Sequence, residues 1–206
     1  MNAKRKSIWL FVAMIVCIPL ITFSIARWYE SRIKALPYYG KDAAKITSFN
    51  FMNQSGKNIT EKSWSGKIVV VNFFFSHCPI ICPKMIRNLK MVQEAFVDDS
   101  MVLINSLSVD PVRDSVERLT KFASEYGIKT EGWNLLTGDK AEIYHLARKS
   151  FLVTATDGDG GAADFIHSDR LVLLDKSQKI RGYYDGTNVQ EVKQLILDIQ
   201  KLREEN

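Results

Sequence analysis

The stretch Ile68-Val-Val-Val-Asn-Phe-Phe-Phe75, running directly into Ser76-His-Cys-Pro-Ile-Ile-Cys-Pro83, decides the fold of this chain. A short apolar run rich in β-branched and aromatic residues is the pattern of a strand covered on both faces, the condition of a central strand in an α/β sheet. Just beyond it Met85, Ile86, Leu89, Val92 and Phe96 recur at helical spacing, which predicts an amphipathic helix over residues 82–96. Cys78 and Cys82 therefore stand where a buried strand meets a helix, at the carboxyl edge of the sheet, where open α/β folds place their ligands. The positive end of the helix dipole faces them and favours thiolate, which is both the nucleophile and the soft-metal ligand. Disulfide exchange and metal binding are both open at this point.

Working outward, residues 49–53 and Ile59-Thr60 flank Gln54-Ser-Gly-Lys57 and read as a hairpin. Residues 101–109 form a second apolar strand ended by Asp110-Pro111. Leu119, Phe122, Ala123 and Tyr126 then mark a helix closed by Gly127. A short strand over 133–136, a helix over 140–149, two strands over 171–174 and 180–184 and a closing amphipathic helix over 189–202 complete the pattern. Strand, helix, strand, helix, then a hairpin and a helix is the order of a thioredoxin-like α/β domain. It predicts a central mixed sheet flanked by helices, with an added N-terminal hairpin, over residues 49–206.

Residues 8–26 carry no charge, follow Lys4-Arg5-Lys6 and precede Arg27, Trp28 and Tyr29. That length just spans a bilayer core as a helix, and the aromatic pair suits the membrane interface. A cleaved signal peptide is the rival, with Ser24-Ile25-Ala26 as a passable cleavage site, but the apolar run exceeds the usual signal core. The expectation is a single transmembrane anchor over 8–26, with residues 1–7 in the cytoplasm, an extended polar connector over 27–48, and the domain on the extracytoplasmic side of the inner membrane.

The chain holds 28 basic and 23 acidic residues, of which residues 1–34 contain six and one, leaving 22 of each in the remainder. The net charge of +5 thus belongs to the anchor. With no interleaved basic and aromatic patch, a nucleic-acid partner is not expected. Cys17, inside the apolar segment, reads as a small hydrophobe. One closely spaced cysteine pair restrains little unfolded-chain entropy, so Cys78 and Cys82 read as functional rather than structural.

The segment Val71-Asn-Phe-Phe-Phe-Ser-His-Cys-Pro-Ile-Ile-Cys-Pro83 resembles the CxxxCP signature of the Sco/SenC copper metallochaperones, and Ser108-Val-Asp-Pro-Val-Arg-Asp114 resembles their DPxRD segment. Gly132-Trp-Asn-Leu-Leu-Thr-Gly138 and Ile166-His-Ser168 are similar to two further stretches in the same order. The resemblance implies copper, as Cu(I) or Cu(II), bound by Cys78, Cys82 and His167. It also implies delivery to the dinuclear copper centre of cytochrome c oxidase subunit II, and an acid, Asp110, near the metal. Oxidation to a Cys78-Cys82 disulfide would remove two ligands and empty the site.

The residues agree with a soft ion. Two thiolates leave Cu(I) short of a ligand, and imidazole is a common third. Of the three histidines, His77 adjoins Cys78 in an extended segment where successive side chains point to opposite sides, and His145 lies in the 140–149 helix as a surface or partly packed residue. His167 precedes the 171–174 strand, in the loop that faces the cysteine motif in thioredoxin-like folds, where oxidoreductases carry a cis-proline. This chain has no proline after Pro111.

Asp110 also reads as a cap for the next helix, with Pro111 at its first position. Asp157-Gly-Asp-Gly-Gly161 is not a calcium loop, because Ala162 and Ser168 stand where such a loop needs Gly and Glu. It reads as a flexible loop that lets His167 swing toward or away from the thiols. Two rivals to the chaperone reading remain. One is a thiol-disulfide oxidoreductase that reduces the cysteines of the oxidase copper site. The other is a peroxidase of the peroxiredoxin kind, which needs an arginine such as Arg87 or Arg170 near its cysteine but does not share the CxxxC signature.

Overall fold

The computed structural model describes residues 3–40, 46–153 and 168–205. It divides into two compact units, Met1–Ala35 and Leu36–Asn206. The first is a helix, α1 (Ala3–Lys34), with Pro19 inside it. Proline removes one ladder hydrogen bond, and nearby hydroxyls add contacts of their own: Thr22 Oγ1 donates to the carbonyls of Ile18 and Pro19, and Ser24 Oγ to that of Leu20. The helix runs through residues 27–34, where an extended connector was expected. Among the described residues no helix is long and apolar enough to cross a membrane.

The second unit is built on a seven-stranded sheet whose order is β2 (Asn58–Thr60), β1 (Asn50–Asn53), β5 (Trp133–Thr137), β4 (Val102–Ser108), β3 (Ile68–Phe74), β6 (Arg170–Leu174) and β7 (Ile180–Asp185). The expected hairpin is β1 (Asn50–Asn53) against β2 (Asn58–Thr60). Its turn reverses at Gly56, whose φ of +73° suits a residue without a Cβ. The middle of the sheet is β3 (Ile68–Phe74), parallel to β4 (Val102–Ser108), which is parallel to β5 (Trp133–Thr137). On the other side β6 (Arg170–Leu174) runs antiparallel to β3, and β7 (Ile180–Asp185) antiparallel to β6. This mixed sheet with flanking helices is the thioredoxin-like arrangement that the element order predicts.

All seven residues of β3 are buried, and period two explains why. Ile68, Val70 and Phe74 pack with Met85, Leu89 and Val92 of α2 (Ile81–Ala95), Leu119 and Phe122 of α3 (Val116–Tyr126), and Val192, Leu195 and Ile199 of α5 (Val189–Glu204). Val69, Val71 and Phe73 face the other way onto Trp64, Ile143, Tyr144 and Phe151. Each such side chain contributes roughly 1.5–3 kcal/mol relative to exposure. The strand is thereby held from both sides, and its carboxyl end becomes a rigid platform.

Two local features depart from expectation, and a third is a buried polar side chain inside the expected strand. The 140–149 helix is a short α-helix, α4 (Lys140–His145), followed by a π-helical turn over Leu146–Ser150. Asp110 does not cap α3. The cap is Ser115, whose hydroxyl accepts from the N–H of Arg118, while the Asp110 carbonyl accepts from the N–H groups of Arg113 and Asp114 and closes a separate turn. Finally, Asn72 of β3 sits fully buried in an otherwise apolar strand. It is satisfied by a polar chain in which Ser106 Oγ donates to Asn72 Oδ1 at 2.6 Å and Trp133 Nε1 donates to Ser106 Oγ at 3.0 Å.

Candidate functional site

At the carboxyl end of β3 the chain turns sharply, the N–H of Cys78 donating to the carbonyl of Phe75 at 3.2 Å. Helix α2 then begins at Ile81, and Cys82 falls in its first turn. The turn lays Cys78 Sγ across the open end of that helix, where the N–H of Cys82 donates to it at 3.3 Å. The orphan amides of a helix start are natural donors to an anion. Both thiols are free, Cys78 half-buried and Cys82 buried.

Their environments differ in sign. For Cys78 burial raises the pKa, yet hydrogen bonds from the N–H and thiol of Cys82 and from the amides of Ile80 and Ile81 outweigh it, so the thiol lies below its ordinary value. For Cys82 burial dominates, and the charges of Cys78 and Asp114 add to it. The N–H of Phe75 offsets only part, leaving the thiol pushed up to about 12. The two thiols are therefore unequal: Cys78 keeps its anion to lower pH than an ordinary thiol, whereas Cys82 holds its proton well past the neutral range.

A cleft of about 160 Å³ opens over the pair, lined by Phe73, Phe75, Ile81, Val109, Ser168 and Asp169 together with both cysteines. Ser168 and Asp169 lead into β6, and the N–H of Gly186 donates to the Asp169 carbonyl at 2.8 Å, which pins that approach to the end of β7. His167 and the run 157–161 lie outside the described residues. Among the described residues no cluster of three His, Cys, Asp or Glu could hold a metal ion.

The other candidates separate cleanly. His77 is half exposed and turned onto Ser76, its Nδ1 3.1 Å from Ser76 Oγ and 4.0 Å from Asp114 Oδ1. His145 is exposed and lines a different cleft of about 530 Å³ beside Thr47, Glu142 and Arg148, which shares no lining residue with the cysteine cleft. Arg87 and Arg170 are exposed. Asp110 is half-buried, its carboxylate 3.6 Å from Arg113 Nε.

The acid that reaches the cysteine loop is Asp114. Fully buried, its carboxylate accepts from the N–H of Ser76 at 3.1 Å and from the hydroxyls of Ser76 and Ser108, each at 2.5 Å. The arginine at the loop is Arg118, whose Nε donates to Ser76 Oγ at 3.0 Å and Nη2 to the Ser76 carbonyl at 3.4 Å. Asp114 closes the Ser108–Asp114 segment, but the sequence pointed to Asp110 as its acid and gave Asp114 no role. Nothing in the sequence singled out Arg118.

A family model described as SCO1/SenC matches residues 39–204. The SCO1 protein homolog of Bacillus subtilis is 31% identical over 157 residues, spanning 75% of this chain and 81% of that protein. The solved structure of BsSco, described with a disulfide switch and as a member of the Sco family of cytochrome c oxidase assembly proteins, superposes with a TM-score of 0.68 at 29% identity, covering 81% of this chain and 98% of that one. Copper-bound ScoI of Arabidopsis thaliana superposes at 0.60 with 27% identity, over 78% of this chain and 99% of that one. With the cysteine loop, its cleft and these likenesses in agreement, the chain belongs to the SCO1/SenC family.

Proposed function

We propose that this chain is a membrane-anchored, copper-binding chaperone that delivers copper to the dinuclear copper centre of cytochrome c oxidase subunit II and assists its assembly. Cys78, Cys82 and His167 hold the ion. Residues 8–26 form the anchor in the inner membrane, and the domain faces the extracytoplasmic side. The single observation that carries this reading is the pair of unbridged thiols opening into one small cleft that Ser168 also lines. Consecutive Cα atoms are about 3.8 Å apart, so His167 is tied to a cleft residue by one peptide unit. Two sulfurs and one imidazole form a donor set that selects Cu(I) over harder ions. Support comes also from the Arabidopsis thaliana relative, which is copper-bound, and from BsSco, an oxidase assembly protein. Copper leaves by exchange of its ligands onto the acceptor's own thiolates.

One observation favours a second reading, thiol-disulfide exchange with the oxidase copper-site cysteines. The lowered Cys78 and protonated Cys82 match an attacking and a resolving thiol. In that reaction the acceptor disulfide takes up two electrons and two protons, and Cys78 and Cys82 become a disulfide.

Anaerobic Cu(I) titration of the reduced full chain in detergent, against a competing chelator and beside His167→Ala, separates the two. The chaperone predicts one tightly held copper, weakened at least tenfold by the substitution while disulfide formation persists. Weak binding in both proteins, with reductase activity that copper does not change, overturns it in favour of the enzyme.

A further inference from the structure

We propose that Asp114, with Arg118, is the positioning residue of the cysteine loop: one takes the donors of Ser76 and the other its acceptors, and together they fix Cys78 against the start of α2. The inference rests on the reading of Cys78 and Cys82 as the working pair, and it adds a residue that the reading does not contain.

The geometry is specific to Ser76. Asp114 takes both of the donors that Ser76 offers, its N–H and its hydroxyl. Arg118 takes both of its acceptors, the hydroxyl oxygen and the carbonyl. A hydroxyl has one proton and two lone pairs. With its proton given to Asp114 and one lone pair to Arg118, the remaining lone pair faces His77 Nδ1 at 3.1 Å. Every polar group of Ser76 is thus used, two residues before the cysteine that must keep its place. Within the turn the Cys78 N–H donates to the Phe75 carbonyl, and the grip on Ser76 adds four side-chain hydrogen bonds from outside it.

The carboxylate is in turn held by the Ser108 hydroxyl at the end of β4. It is brought inward by the turn in which the Asp114 N–H donates to the Asp110 carbonyl at 2.9 Å. A buried carboxylate is tolerated only with its hydrogen bonds made. Here two of the three come from the cysteine loop itself, so the loop and the acid hold each other in place.

The test is the dithiol-disulfide equilibrium of the full chain against glutathione. In it Cys78 and Cys82 lose two electrons and two protons to glutathione disulfide, which becomes two glutathione thiols. Asp114→Asn, Ser76→Ala and Ser108→Ala are compared with wild type at a temperature where thermal unfolding shows each folded. The proposal expects Asp114→Asn and Ser76→Ala each to shift the equilibrium constant at least tenfold, about 30 mV, and Ser108→Ala, which leaves the grip on Ser76, to shift it less than threefold. Equal shifts in all three variants, or none in the first two, overturn it in favour of a folding role alone. Should Asp114→Asn fail to fold, Ser76→Ala and Arg118→Gln carry the same comparison. The readout needs no metal, so a wild-type protein that binds no Cu(I) sinks the chaperone reading and leaves this inference to stand or fall separately.

Discussion

Cys78 and Cys82 are four positions apart and chemically unlike. Cys78 receives amide hydrogen bonds that favour its anion, whereas Cys82 is buried beside two negative groups. An acid lowered in the folded state keeps its anion to lower pH, and one raised keeps its proton to higher pH. Iodoacetamide labelling of the reduced protein, followed by mass spectrometry across pH 6 to 10, is expected to modify Cys78 first, with a midpoint below the ordinary thiol value of 9.0. Cys82 stays unmodified until strongly alkaline pH. Labelling of both at equal rates contradicts the asymmetry. The cysteines were legible because a CxxxC at the end of a continuous apolar run has few structural uses. Asp114 was not, since an aspartate in a turn is ordinarily exposed and hydropathy cannot report that two serine hydroxyls and an amide surround it.

Helix α3 shows how an element was legible in kind and misread at its start. Its apolar spacing and its closing Gly127, left-handed at φ +60°, were plain in the sequence. Asp110-Pro111 resembles a cap with a first-turn proline, but the carbonyl of Asp110 is drawn into a turn that carries Asp114 inward. The helix therefore starts five residues later than the cap reading implied, on Ser115. Urea unfolding is expected to find Ser115→Ala destabilised by about 1 kcal/mol and Asp110→Ala by no more than about 0.5 kcal/mol. The reverse order would restore Asp110 as the cap. Strand β3 was legible to within a residue because burial on both faces leaves a run of apolar letters. The π-turn at Leu146–Ser150 was not, because an extra residue in a helical turn leaves the hydropathy pattern nearly unchanged.

In the domain as a whole, the cysteine cleft and residues 36–39 lie at opposite ends of one sheet. The cysteine cleft lies where β3 ends. Residues 36–39 are tied where β3 begins: Arg181 donates to the carbonyls of Leu36 and Pro37, lies 4.2 Å over the Tyr38 ring, and bonds Asp175 and Glu205, while the Tyr39 N–H donates to Ile180. Arg181 is only 3% exposed, and removing one partner from a buried ion pair is costly. Arg181→Ala is expected to lower the unfolding free energy by about 3 kcal/mol. It should also open residues 36–39 to limited proteolysis while leaving the labelling order of the cysteines intact, since separated sites act independently. A change in that order would show the two ends to be coupled. The proposed copper site joins two sulfurs to the imidazole of His167. X-ray absorption of the Cu(I)-loaded full chain is expected to find two sulfur neighbours and one imidazole nitrogen, with the nitrogen lost in His167→Ala; a shell of sulfur alone, unchanged by that substitution, rules the three-ligand site out.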